Sequence, residues 1–339
     1  MLLKFYCTHR SPPPVTFPHR LRGRRDRGDR ELVAHLNDFM GFVMDRGRRP
    51  MTATRYAVLR HLERVQHHVS LDVALVHEEA LGAWATAANA LVFREDGTVR
   101  DPNGLVVVDP QTGDPEPGAS VPYPADATAR REATTRALAA RGVRVVATLP
   151  PSVSEVEVSL RPASAVASRC VALFACALRA ESLAHEAPIA PREIVARMPH
   201  AVAAMSPRER AFFEASAPLE QDVVDHVWRY ESLHALAWSL SIVPDLPFPS
   251  GICDVPVLAE RMLALEPSSA SRLTLRATPT ILDALDLSLR VHWATTDART
   301  NGGPAPRDVE ASVVLERHRA LNWLTRTTDA GWDDVETPT

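Results

Sequence analysis

The sequence predicts an α+β fold, in which N-terminal helices with a small, largely antiparallel sheet (residues 1–160) precede an all-helical region (residues 161–339). Short β-type segments separated by turn signals occur only in the first region. Apolar residues at helical spacing dominate the second region, and prolines stand in most of the gaps between these periodic segments. The pattern therefore predicts two domains, an α+β domain followed by a helical domain.

The first region is predicted to open with a strand at residues 2–6, which leads into a proline- and arginine-rich loop from Ser11 to about Gly28. Beyond this loop, apolar residues recur at intervals of three or four. This spacing predicts helices at residues 29–46, 54–66 and about 77–89.

Two strong turn signals, Asp96-Gly97 and the tetrapeptide at 101–104, predict an antiparallel meander. The predicted strands of the meander span residues 91–93, 98–100 and 105–108. A helix at 127–141 should end at Gly142, because helices favour glycine just beyond their last turn. Residues 143–147 are predicted to form a strand, and the alternation at 155–160 indicates either a half-buried strand or the link into the next part of the chain.

The second region contains five segments with strong helical periodicity, at residues 163–186, 207–215, 219–242, 279–299 and 309–326. The start of the second segment is marked by Ser206 and Glu209, which have the spacing of a capping box, with Pro207 at the first helical position. Five of the six tryptophans lie in this region and support a packed core.

Arginine carries almost all the basic charge, since Lys4 is the only lysine among 38 Lys+Arg. The classes of enzyme that depend on a phosphate-loop, Schiff-base or kinase-type lysine are excluded unless Lys4 serves. The four cysteines form no Cys-x-x-Cys pair. The longest strongly apolar stretch, Val171–Leu178, is shorter than a membrane span. We therefore expect a cytoplasmic protein with no membrane partner.

The net charge of −4 conceals a basic start, because residues 1–30 carry +6 and the other 309 residues carry −10. The basic segment at residues 20–30 could contact nucleic acid. A solvated loop between a strand and a helix explains the same residues more simply. A nucleic-acid partner is therefore not expected, whereas an unidentified protein or small molecule is.

Standard catalytic and nucleotide motifs are absent from the sequence, including Gly-x-Gly-x-x-Gly, Gly-x-Ser-x-Gly and His-Glu-x-x-His. Glu231-x-x-His234 has the spacing used by di-iron helix bundles, but such bundles need a second pair of this kind, and the sequence contains none. No cofactor and no metal ion are therefore expected.

Polar residues embedded in the apolar helices form the candidate site. Glu231 falls within the apolar stripe of the predicted helix at 219–242, where a carboxylate is costly unless it is paired, protonated or metal-bound. An arginine of the last helix is the expected partner. The candidate residues of this polar cluster are Arg229, Glu231, His234, His292, Asp297, Arg299, Glu316, His318 and Asn322.

Two aspartates and a histidine of the helix at 279–299 have simpler interpretations. Asp283 and Asp286 share a polar face and are predicted to be solvated. His292 follows the apolar stripe, and a hydrogen-bonded core histidine is the simpler interpretation of it.

Several polar segments of the second region, taken in order, resemble an uncharacterised bacterial family, the domain of unknown function numbered forty-two seventy-two. The resemblance spans about residues 160–337. It rests on Trp228-Arg-Tyr-Glu231, Cys253-Asp-Val255, Ile281-Leu-Asp-Ala-Leu-Asp286, His292-Trp293, Asp297-Ala-Arg299, Glu316-Arg-His-Arg-Ala-Leu-Asn-Trp323 and Trp332-Asp-Asp-Val335. The family implies no activity, cofactor or catalytic residue.

Two functions stay open on the sequence alone. The first is an accessory or protein-interaction module whose helical domain is stiffened by an internal polar network. The alternative is an enzyme, metal-dependent or an acid/base hydrolase, with a cleft lined by Glu231, His292, Glu316 and His318. A sealed and fully hydrogen-bonded cluster would favour the first function.

Overall fold

A computed structural model describes residues 1–265, 272–327 and 329–339. The chain divides into two compact units. Unit 1 consists of residues 1–132 and 146–158, and unit 2 of residues 133–145 and 159–339. The predicted α+β fold class is confirmed, with an antiparallel sheet in the first unit and helices in the second. The domain boundary predicted near residue 160 stays a prediction.

Six strands among the described residues form one antiparallel sheet in unit 1. In chain order they are β1 (Leu2–Cys7), β2 (Arg20–Asp26), β3 (His67–Asp72), β4 (Ala90–Arg94), β5 (Val99–Arg100) and β6 (Val106–Val108). Their order across the sheet is β2-β3-β1-β4-β5-β6, so β2 and β6 are the edges. The meander predicted from the two turn signals corresponds to β4, β5 and β6.

Helices cover both faces of this sheet. The residues of α1 (Arg30–Val43) and α2 (Ala53–Arg64) share one apolar cluster with Tyr6 of β1. The helix α3 (Glu78–Ala87) packs on the other face, in a second cluster that includes Phe5. Alternate residues of β1 therefore enter opposite cores, as the period of two in a strand requires.

At two places rich in charged side chains, the structure overturns a loop prediction and decides between two open alternatives. The segment predicted as a loop from Ser11 to Gly28 contains β2, whose arginines are tolerated because an edge strand is half solvated. The segment at 155–160 contains a turn at 155–157 and no strand, so it is a link. Val156 is 45% exposed, whereas Glu157 is 2% exposed and accepts a hydrogen bond from the backbone of Ser154.

Unit 2 is built from helices. The helix α4 (Ala125–Ala140) leads into it from unit 1. The others are α5 (Ala163–Ala184), α6 (Pro191–Arg197), α7 (Ala201–Ala204), α8 (Pro207–Glu214), α9 (Glu220–Val227), α10 (Arg229–Ser239), α11 (Val255–Leu263), α12 (Thr278–Asn301) and α13 (Ala311–Leu324). The main packing partners run in a row from α5 to α10, from α10 to α13 and from α13 to α12.

Three details of the helices and their connections differ from the sequence prediction. The segment at 219–242 is divided at Trp228 into α9 and α10. A hydrogen bond from the Glu231 N–H to the Trp228 carbonyl, three residues earlier, marks the junction. The strand predicted at 143–147 is irregular. The short helices α6, α7 and α11 were missed because fewer than three turns give little periodicity to detect.

The helix α5 is the core helix of unit 2. Among the described residues it is the one helix long and apolar enough, by length and composition alone, to cross a membrane, and 67% of its apolar window is buried inside the protein. Leu173 and Phe174 are fully covered. Its apolar surface is therefore used for packing against the neighbouring helices.

The capping box at the start of α8 is confirmed. The Ser206 Oγ accepts the Glu209 N–H at 3.2 Å, and the Glu209 carboxylate accepts the Ser206 N–H at 2.9 Å. The Ser206 hydroxyl also donates to Asp333 at 2.6 Å. Both ends of the box are thus satisfied, and the C-terminal segment is attached to it.

Replacing Ser206 with alanine should lower the free energy of unfolding by about 1–2 kcal/mol, because the first turn of α8 loses its acceptor. Urea unfolding measures the loss. Ser168→Ala is the matched control, since the hydroxyl of this exposed serine bonds only within its own helix, to Ser164. Its effect should stay within about 0.5 kcal/mol. Equal losses in the two variants would show that the cap contributes nothing specific.

Candidate functional site

The nine predicted site residues all lie on three helices that pack in sequence. The helix α10 carries Arg229, Glu231 and His234; α12 carries His292, Asp297 and Arg299; and α13 carries Glu316, His318 and Asn322. The contacts divide them into three groups. These are a network between α10 and α13, a histidine pair between α12 and α13 with Arg299 beside it, and two residues, Asp297 and Asn322, that join neither.

The first group centres on a buried ion pair between Glu231 and Arg317. The Arg317 guanidinium lies 3.1 Å from the Glu231 carboxylate, and the two side chains are 3% and 2% exposed. The other carboxylate oxygen of Glu231 accepts the N–H of Cys253 at 2.5 Å. Arg317 also donates to the carbonyl of Pro247 at 2.6 Å. The arginine partner that the sequence predicts for Glu231 on the last helix is therefore Arg317.

A second ion pair joins the same two helices. One guanidinium nitrogen of Arg229 donates to both carboxylate oxygens of Glu316, at 2.6 and 2.8 Å. The Ser232 hydroxyl adds a hydrogen bond to Glu316 at 2.6 Å. With the first pair, these contacts define the α10–α13 network, which consists of Arg229, Glu231, Ser232, His234, Glu316 and Arg317. Glu316 is 7% exposed, so solvent hardly reaches its carboxylate.

Three residues of this region could supply metal ligands. One ligand atom each from Glu231, His234 and Cys253 lies within 4.8 Å of the other two, and all three residues are buried. The sequence prediction missed Cys253 because it lies in a loop remote from α10 in the chain. The cluster already holds a cation, since Arg317 donates to Glu231 and lies 3.5 Å from the Nδ1 of His234.

The protonation of the cluster fits the bound guanidinium. Burial, and then the charge of Arg317, lower the pKa of His234, so its imidazole is neutral and can accept. Burial, and then the Glu231 carboxylate, raise the pKa of the Cys253 thiol. A metal ion at this position would have to displace Arg317 and to deprotonate Cys253. The geometry is that of a closed polar network.

The prediction that Asp286 is solvated was wrong. Asp286 and Arg290 are paired at 2.8 Å, four residues apart on α12, and the two side chains are 0% and 1% exposed. The spacing shows that the pair shares a face, but it does not show that other elements cover this face. The pair neutralises two charges inside unit 2.

The histidine pair joins α12 to α13. The Nδ1 atoms of His292 and His318 are 3.0 Å apart, so one ring donates a proton to the other. His318 is 2% exposed. His292 is half-buried, and burial, followed by the charge of Arg299, lowers its pKa to about 4. The His292 imidazole is therefore neutral near pH 7.

His292 also lines a cavity of about 360 Å³. In this respect it differs from the residues of the sealed α10–α13 network. Arg299 lines the same cavity. The remaining lining residues are Thr295, Thr296, Ala298, Gly303, Ala305, Pro306, Val309, Ala311, Ser312 and Leu315. The cavity therefore combines one guanidinium, one imidazole and several hydroxyls with an apolar wall.

Asp297 and Asn322 do not join either group. The Asp297 carboxylate accepts a hydrogen bond from Asn301 at 2.7 Å, within α12. The Asn322 amide donates to the carbonyl of Glu336 at 3.0 Å and so attaches the C-terminal segment to α13. Both residues have local structural contacts.

The C-terminal segment supplies contacts that the candidate list omitted. The guanidinium groups of Arg169 and Arg319 each lie 5.3 Å from the centroid of the Trp332 ring. Asp333 accepts hydrogen bonds from the Ser206 hydroxyl and from the N–H of Arg208, at the N-terminus of α8. The resemblance includes Trp332 and Asp333, but the sequence pattern assigns them no partner.

Comparison with known proteins identifies the helical part of the chain. The model of a family described as Domain of unknown function (DUF4272) matches residues 130–335. The matched residues contain every member of the α10–α13 network and both histidines of the pair. No curated protein and no solved structure matches the chain.

Replacing Glu231 with glutamine should lower the free energy of unfolding by about 3–5 kcal/mol, because Arg317 would keep its charge in a dry site without a counter-ion. Chemical denaturation monitored by tryptophan fluorescence provides the measurement.

The control for this variant is Asp329→Asn, which breaks the ion pair of Asp329 with Arg326 at the surface of the same unit. An exposed pair of this kind contributes at most about 1 kcal/mol. If Glu231→Gln lowers the free energy of unfolding by no more than Asp329→Asn does, the Glu231–Arg317 pair is not a desolvated ion pair.

Proposed function

We propose, for a chain that belongs to the DUF4272 family, that the protein acts by binding a protein partner, and that the edge strand β2 takes an extended acidic segment of that partner. In this proposal the polar cluster of unit 2 has a structural role. The observation that carries the proposal is the open, arginine-rich edge of the sheet in unit 1.

The two edges of the sheet differ in how they are covered. At the β6 edge, the Val106 N–H donates to the Glu116 carboxylate and the Val106 carbonyl accepts the Glu116 N–H, each at 2.8 Å. The strand β2 pairs with β3 alone, and five of its seven residues are exposed. Alternate peptide groups on the free side of an edge strand can pair with a strand from another chain.

The charge of β2 favours an acidic partner. Arg22 forms an ion pair with Asp72, and Arg25 forms one with Glu31 at 2.9 Å. Arg20 and Arg24 are exposed, and within the parts of unit 1 that the structure describes they form no ion pair. Two positive charges along the strand are therefore available to carboxylates of a bound segment.

An apolar groove of about 280 Å³ lies beside the same strand. Leu21, which is 56% exposed, lines it together with Arg24. Its opposite wall is the proline-rich segment at 12–15, which a hydrogen bond from the Trp84 indole to the Pro13 carbonyl holds at 2.9 Å. The groove can take apolar side chains that alternate with the acidic ones of a partner strand.

Nucleic acid fits this surface less well than a peptide does. Affinity for nucleic acid grows with the number of phosphates that basic side chains neutralise. The β2 edge offers two unpaired arginines beside a groove of prolines and aliphatic side chains. The peptide groups of an edge strand add hydrogen bonds that only another polypeptide can match along its length.

The enzyme alternative is favoured by a single contact. Glu231, Glu316 and His318 are shielded from solvent, whereas His292 lines a cavity and is hydrogen-bonded to His318. A general base needs access to its substrate. An acid/base function would therefore have to centre on His292, and it stays a prediction, as does the cytoplasmic location.

A labelled peptide of alternating glutamate and valine should bind the protein in fluorescence anisotropy. Reversing both free charges, with Arg20→Glu and Arg24→Glu, should weaken binding about tenfold through the loss of two charge contacts. Arg30→Glu, at the exposed start of α1, is the matched control and should leave the affinity unchanged.

The same peptide with alternate backbone amides N-methylated tests strand pairing, because it keeps its charge but loses donors. The proposal expects binding of this peptide to fail. Equal binding of the methylated peptide, or tighter binding of a single-stranded oligonucleotide than of the peptide, would overturn it.

A further inference from the structure

We propose that the cavity between α12 and α13 binds a small organic carboxylate, whose charged end pairs with Arg299 and whose apolar end lies among the aliphatic wall residues. The site lies entirely within unit 2. The proposal does not depend on the edge strand of unit 1, and it concerns a small molecule instead of a protein.

The charge of the cavity selects an anion. Among the described residues, Arg299 is the only charged one that lines the cavity; its side chain is exposed and forms no ion pair with any of them. The nearby carboxylate of Glu310 accepts the N–H of Ser312 at the start of α13 and does not line the cavity. A guanidinium without a counter-ion at the wall of a cavity is well suited to a carboxylate, which it can bind through two parallel hydrogen bonds.

His292 supplies a second polar group for the same end of a ligand. Its Nδ1 is engaged by the Nδ1 of His318, which leaves its Nε2 for another partner. Burial keeps the imidazole neutral, so the proton of His292 can lie on either nitrogen. When His318 donates to His292, the His292 Nε2–H becomes a donor for an anion. His318 thus acts as a positioning residue behind His292.

The hydroxyls of the wall complete this polar end. Thr296 and Ser312 line the cavity, and neither side chain has another hydrogen bond within the described residues. Thr295 donates its hydroxyl proton to the His292 carbonyl at 2.9 Å, which fixes the first turn beyond the histidine. Two hydroxyl donors therefore remain for a carboxylate that pairs with Arg299.

The other lining residues of the cavity are mostly apolar, and they limit the ligand. The apolar ones are small aliphatic residues, namely Ala298, Ala305, Pro306, Val309, Ala311 and Leu315. A volume of about 360 Å³ is near the lower end of ligand sites, which suits a molecule with a short hydrocarbon part. A nucleotide or polyphosphate would need more than one cation, whereas a monocarboxylate matches the single guanidinium.

Isothermal titration with acetate, butyrate and hexanoate tests the assignment on the full chain. Affinity should rise about fourfold for each CH₂ group that enters the apolar part. Hexanamide has the same shape without the charge and should bind about tenfold more weakly than hexanoate. Inorganic phosphate should bind no better than acetate.

Variants locate the site. Arg299→Gln should weaken hexanoate binding about tenfold, and Arg192→Gln, which removes an equivalent exposed charge from α6, should leave it unchanged. Ala311→Phe should fill the cavity and abolish binding, while an unchanged melting temperature shows that the fold is intact. His292→Phe should weaken binding of hexanoate more than binding of hexanamide, because the charged carboxylate accepts a stronger hydrogen bond from the imidazole than the neutral amide oxygen does.

Four results would overturn the proposal. They are equal affinities for acetate and hexanoate, equal affinities for hexanoate and hexanamide, hexanoate binding that survives Ala311→Phe, and the absence of binding at every chain length. Each of these results concerns the cavity in unit 2 and is independent of peptide binding at β2. Either proposal can therefore fail without the other.

Discussion

The two reciprocal ion pairs between α10 and α13 constrain the rest of unit 2. Each helix contributes one acid and one base, so that Arg229 of α10 meets Glu316 of α13, and Glu231 of α10 meets Arg317 of α13. A shift of α13 that exchanged the partners would bring like charges together in a site with little water. Such pairs add little net stability, because desolvation offsets their attraction, but a buried charge that loses its partner is strongly destabilising.

This register determines what the next residue of α13 can do. His318 follows Glu316 and Arg317 directly, and the turn of the helix directs it away from α10 and toward α12, where it meets His292 at 3.0 Å. The side chains of three successive residues thus reach two different helices. The sealed network and the open cavity beside Arg299 are consequently two sides of one helix, the first buried and the second accessible.

The charged side chains of unit 2 and those of β2 lie in different surroundings. In unit 2, acids and bases are paired inside the protein, as at Asp286–Arg290, and the family match at residues 130–335 covers this part. In unit 1, the arginines of β2 lie along an edge strand outside the matched residues. The proposed partner surface is therefore a feature of the part of the chain that the family model does not cover.

The sequence by itself determined the fold class, the meander, the capping box at Ser206 and the need of Glu231 for an arginine, because each depends on local spacing or on the cost of burying one charge. Only the tertiary structure decided that β2 is a strand, that Asp286 is buried, and that Cys253 and Trp332 join polar clusters. These features depend on contacts between residues far apart in the chain. The periodicity of one segment does not show which other segment will pack against it. That packing determines whether a polar face is solvated or buried, and whether a histidine lies in the core or lines a cavity.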